Sequence, residues 1–175
     1  MRNRQFTVFY VVICCFALVG AGLRHWADWD LLHHISKPLP ALSLAFFFFW
    51  DQKKQLGWEV ILMTIALLFS FLGDSFLMYE GETWFILGLS SFFVTHIAYS
   101  VLFAKQGGSY LKERWWIILM LVAYGIGFIY CLKYFMGGTQ KEAFLIPISA
   151  YAIAIVLMAL TAINRYRNIS DSSRG

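Results

Sequence analysis

A carboxylate, Asp74, stands inside the apolar stretch ALLFSFLGDSFLM at 66–78. Hydrocarbon cannot hydrate a charge, and an acid at the centre of a membrane helix costs roughly 2.5–3.5 kcal/mol on insertion scales. Such an acid must face a protein interior or a water-filled cavity. It marks a proton or ligand pathway, or else it ties helices together through a hydrogen bond. Ser70 lies four residues earlier and shares the helical face of Asp74. Gly73, between them, lets a second helix come close. A second titratable group, His96, sits mid-run in GLSSFFVTHIAYS. Gly88, Phe92, His96 and Tyr99 follow i, i+4, i+8, i+11 and fall on one face. A carboxyl group and an imidazole withdrawn from water are the side chains of general acid and base chemistry.

The elements that must position them are membrane helices. Of 175 residues, 60% are hydrophobic, 19% aromatic and 14% charged, with a mean hydropathy of +0.65. A soluble domain is closer to half apolar and a quarter charged. The chain therefore reads as an all-α, polytopic transmembrane bundle. Its net charge of +4 is scattered between apolar runs. That distribution argues against a nucleic-acid partner and for a role in topology. Cys14, Cys15 and Cys131 lack metal-ligand spacing, and an odd count argues against a disulfide framework. They are expected to be buried free thiols.

Six spans are expected: Phe6–Leu23, Lys37–Trp50, Leu56–Tyr79, Trp84–Ala104, Trp115–Phe135 and Ala143–Asn164. They form one transmembrane domain over 1–164, followed by a polar tail over 165–175. The first run is read as a retained helix rather than a secretory signal, because more spans follow. Trp26 and Trp29, amid Arg24, His25, Asp28, Asp30, His33 and His34, mark an interfacial turn. His33 and His34 beside Asp30 are a weak metal signal, since adjacent helical side chains point about 100° apart. No metal and no cofactor are expected. Lys37 opens the second span in KPLPAL, where its ammonium can snorkel to water or meet an anionic headgroup. Tyr151, Ile155 and Met158 share a face of the sixth span, and Met158 is read as a packing residue.

With the N-terminus inside, ten of the 14 Lys and Arg residues collect on the cytoplasmic side and four remain outside. Both termini are thus expected in the cytoplasm. Asp74 would then lie about five residues, ~7 Å, from the outer end of its helix, and His96 about twelve residues, ~18 Å, from the outer end of its own.

Four separated motifs carry a resemblance: KPLPAL at 37–42, LLFSFLGDSFLM at 67–78, GLSSFFVTHIAY at 88–99 and PISAYAIAIVLM at 147–158. In order and spacing they resemble the YhhN-like membrane family, the lysoplasmalogenases. The resemblance implies an integral membrane hydrolase. Its partner is a membrane lipid, a lysophospholipid whose vinyl ether bond is cleaved to a fatty aldehyde and a glycerophospho-base. It also implies that Asp74 is the family's first intramembrane aspartate. Family members usually have about eight spans and a second Ser-Asp motif after a Gly-Ala-rich helix. This chain is expected to lack those C-terminal spans, with Ser170–Asp171 in a hydrophilic tail.

Under this reading Asp74 is the general acid, and a second group, His96 or the family's second aspartate, orients the water or takes its proton. Ser70 holds Asp74, Lys37 pairs with the substrate phosphate, and Tyr99 and Tyr151 bond the glycerol region. Two other classes stay open: a non-catalytic or truncated paralogue, and a small lipid-binding or transport protein.

Overall fold

Hydrocarbon offers backbone groups no partner, so a chain in a bilayer must satisfy them internally, as helix or closed barrel. The computed structural model describes residues 2–23, 37–52, 57–106, 111, 115–136 and 143–172. Among them are six helices and no strand: α1 Arg2–Leu23, α2 Leu39–Gln52, α3 Trp58–Phe76, α4 Glu82–Lys105, α5 Trp115–Met136 and α6 Leu145–Ser172. Among the described residues four stretches are long and apolar enough to cross a membrane: Trp58–Phe76, Glu82–Lys105, Trp115–Phe135 and Leu145–Arg165. Apolar side chains cover the outside, as at Leu18 (73% exposed) and Phe46 (66%), and on α5 at Tyr134 (76%). Water would not tolerate that surface, and lipid does.

The chain divides into two compact units, Met1–Ser91 and Phe92–Gly175. In the first, α2 packs on α3 and α1 on α2. Pro38 and Pro40 fit the start of α2, where a missing N–H costs nothing. The Leu42 N–H donates to the Pro38 carbonyl at 3.2 Å, and the Ser43 hydroxyl to that of Pro40 at 3.0 Å. Gly57 caps α3 in an extended conformation, and Glu59 in the first turn complements the positive helix end. After α3 the chain turns through Gly81, whose φ of +126° suits glycine. Trp84 anchors this turn, with ring centres 4.8 Å from Tyr79 and 5.9 Å from Phe76.

Small residues set the helix crossings. A Cβ on Gly88 would lie 2.6 Å from Leu77 Cγ and 3.3 Å from the Gly73 carbonyl oxygen. The start of α4 therefore passes close over the end of α3. In the second unit α5 packs on α6, and a Cβ on Gly125 would lie 3.2 Å from Val156 Cγ2.

Several expectations change. Helix α3 ends at Phe76 and gives way to a turn, so Asp74 is two residues from its end rather than five. Helix α6 continues to Ser172, past Asn164. The Asn164 side-chain oxygen accepts the Leu111 N–H at 3.3 Å, and the Arg165 guanidinium lies 5.1 Å over the Phe103 ring. The three cysteines are free, but Cys15 and Cys131 are exposed and Cys14 is only partly covered. A thiol is apolar enough to face acyl chains, so lipid imposes no need to bury it. The interfacial turn with Trp26, Trp29, Asp30, His33 and His34 lies outside the described residues.

Gly88→Ala should lower the unfolding midpoint in detergent, at a cost of about 1–3 kcal/mol for overpacking. Leu77→Ala, at a half-exposed side chain, should offset part of that cost in the double variant. An unchanged midpoint for Gly88→Ala would contradict the close crossing.

Candidate functional site

Val60, Leu67 and Asp74 are spaced by seven residues, so they rise along one side of α3 with a drift of only ~20° per step. Val60 is 8% exposed and Leu67 5%. Gly73 is buried as well. Asp74 therefore continues the buried stripe of its helix, and is itself half-buried. This is the orientation that an acid in lipid requires.

The end of α3 carries the negative pole of the helix dipole, an unfavourable place for a carboxylate. Lys37, at the entry to α2, supplies the opposite charge and acts electrostatically on Asp74. Among the described residues no hydrogen bond reaches the Asp74 carboxylate. Ser70 shares its face but makes none, and the neighbouring Ser75 hydroxyl donates to the Phe71 carbonyl at 2.8 Å. Among the described residues the Arg165 Nε is the only fully buried side-chain polar atom without a partner.

Below Asp74 on the first unit lies an apolar groove of about 330 Å³, lined by Leu42, Ala45, Phe46, Phe49, Thr64 and Leu68. The Thr64 hydroxyl turns away to the Val60 carbonyl at 2.7 Å, leaving its methyl group for the groove. Leu68 lies six residues before Asp74, about 9 Å along the helix.

His96 belongs to the second unit. Its Nδ1 lies 3.1 Å from Met158 Sδ, and its Nε2 lies 3.4 Å from the Tyr151 hydroxyl. The His96 and Tyr151 ring centres are 5.3 Å apart with a tilt of 50°. The expected face of α6, with Tyr151 and Met158 two turns apart, thus holds the imidazole at both nitrogens. The Ser100 hydroxyl donates to the His96 carbonyl at 2.7 Å. Tyr99 is placed differently. Its ring stacks on Phe103 at 5.8 Å and 9°, and its hydroxyl makes no hydrogen bond among the described residues.

Two buried polar residues escaped the sequence reading: Ser91, 6% exposed, and Thr95, 3% exposed. With Gly88, Ala98 and Leu102 they form the buried stripe of α4. Phe92, His96 and Tyr99 lie on its flank. The signal was present in the 3-4-3 spacing of the small residues Gly88, Ser91, Thr95 and Ala98, which the more conspicuous His96 series obscured. Among the described residues no group of three His, Cys, Asp or Glu side chains could hold a metal.

Fold and site together define a helical membrane protein with Asp74 and His96 each partly buried within its own unit. The YhhN family profile matches residues 32–174, most of the chain, and the protein belongs to the YhhN family. Neither the curated proteins nor the solved structures yield a match. The family match takes in Lys37, Ser70, Asp74, His96, Tyr99 and Tyr151, and extends through Ser170–Asp171.

The His96 contact with Tyr151 is measurable by a double-mutant cycle on His96→Leu and Tyr151→Phe. The coupling should be roughly 0.6 kcal/mol, the average for polar contacts between membrane helices. Strictly additive losses in the unfolding free energy would contradict the contact.

Proposed function

We propose that this protein is a hydrolase of a bacterial cell membrane that cleaves the vinyl ether bond of lysoplasmalogens. The products are a fatty aldehyde and a glycerophospho-base such as glycerophosphoethanolamine. The observation that carries this reading is Asp74, half-buried on the buried side of α3, with no hydrogen bond to its carboxylate among the described residues. Family membership supports it.

The chemistry follows from the substrate. A vinyl ether is basic at its β-carbon, and hydrolysis begins when a proton is delivered there. Asp74 gives that proton, and the C=C electron pair forms the new C–H bond. The adjacent α-carbon becomes an oxocarbenium ion, stabilised by the carboxylate left behind. Water adds to the α-carbon and loses a proton to the Asp74 carboxylate left by the first step. The hemiacetal then collapses: its hydroxyl proton leaves, the bond to the glycerol oxygen breaks, and that oxygen takes up a proton. One water is consumed, and no electrons are exchanged with any partner.

Substrate placement follows the order of groups along the first unit. Lys37 meets the phosphate as a point charge. Asp74 reaches the vinyl ether, and the groove of Leu42, Phe46, Phe49 and Leu68 takes the alkenyl chain.

The test is purified protein in lipid nanodiscs with lysoplasmalogen in D₂O. The expected product is a fatty aldehyde with one deuterium on the carbon next to the carbonyl, trapped as it forms. Lysolipid that binds without releasing aldehyde would overturn the hydrolase reading in favour of a lipid-binding role. Lys37→Gln should raise KM several-fold with a smaller change in kcat, since it removes a contact to a remote part of the substrate. An unchanged KM would remove Lys37 from the phosphate site.

A further inference from the structure

His96 is held at both ring nitrogens by side chains of α6, and those two side chains differ in what they can do. The Met158 thioether has lone pairs and no hydrogen, so it can only accept. The Tyr151 hydroxyl can donate or accept. A neutral imidazole carries one N–H and one lone pair. At 3.1 Å from Met158 Sδ, a bare Nδ1 would set lone pair against lone pair, whereas Nδ1–H makes a hydrogen bond. The proton therefore belongs on Nδ1. Nε2 then carries the lone pair, facing the Tyr151 hydroxyl at 3.4 Å.

We infer that Met158 is a positioning residue that fixes His96 as the Nδ1–H tautomer, leaving Nε2, with Tyr151, as its proton-accepting face. The contact lengths agree with this division. The sulfur contact is short, while 3.4 Å is long for an O–H···N bond, so Tyr151 can turn aside for an incoming donor. Protonation of Nε2 requires no movement of the ring. Nδ1–H still donates to sulfur, and the Tyr151 oxygen changes from donor to acceptor. The spacing of α6 builds the device, because residues seven apart lie on one side of a helix and about 10 Å apart along it. Any use of Nε2 as a base in catalysis would rest on the proposed function. The tautomer does not.

The experiment is nitrogen NMR on the full chain in nanodiscs, with ¹⁵N-histidine and substrate absent. The signals of His96, one of four histidines, are assigned by their loss in His96→Gln. The wild-type protein should show the proton on Nδ1 and a pyridine-type Nε2. Met158→Leu should shift the tautomer ratio toward Nε2–H by roughly fivefold or more, the worth of one ordinary hydrogen bond. Met158→Gln, whose amide oxygen accepts, should restore Nδ1–H. An Nε2–H tautomer in the wild-type protein overturns the inference, and that spectrum decides even if Met158→Leu fails to fold. So does a tautomer ratio unmoved by Met158→Leu. Because the spectrum is read without substrate, its outcome is independent of whether the protein cleaves vinyl ethers.

Discussion

Everything in this structure answers to one constraint: lipid gives a polar group no partner. The hydroxyls meet it locally. Thr64, Ser75, Ser91 and Ser100 each donate to the carbonyl four residues earlier, and Thr161 does the same. Such bonds satisfy the group without a second helix. Asp74 cannot use this device, because a carboxylate needs donors and a helix interior has none to spare. It is instead placed on the side of α3 that Val60 and Leu67 already bury, and it draws on the charge of Lys37.

That placement links stability to function. Glycine at 73 and 88 lets α3 and α4 approach at the level of the acid, and Gly81 makes the turn that brings them together. In the second unit the imidazole has a different setting, clasped between a sulfur and a phenol on α6. One titratable group thus has no hydrogen-bond partner among the described residues, and the other is held at both nitrogens.

Much of this was legible in the sequence. Hydrophobic runs bounded by polar loops located all six helices, because period and length are strong signals in an apolar chain. The Tyr151–Ile155–Met158 face was legible for the same reason. Helix ends were harder. Leu77 to Tyr79 are apolar enough to continue α3, and only the tight connection through Gly81 ends it earlier. Ser70 shares a face with Asp74, yet a shared face does not make a bond, and side-chain direction decides the outcome. Met158 read as packing because sulfur is a weak acceptor; its contact to nitrogen appears only once α4 and α6 are placed together.

The most direct measurement is aldehyde release by purified Asp74→Asn protein, compared with wild type at equal folded fraction in nanodiscs. Asparagine keeps the size and removes the transferable acid proton. The account predicts that the rate falls by at least about 100-fold, the usual contribution of a positioned general acid, with the unfolding midpoint nearly unchanged. Release within a few-fold of wild type would contradict it, because the proton would then come from elsewhere.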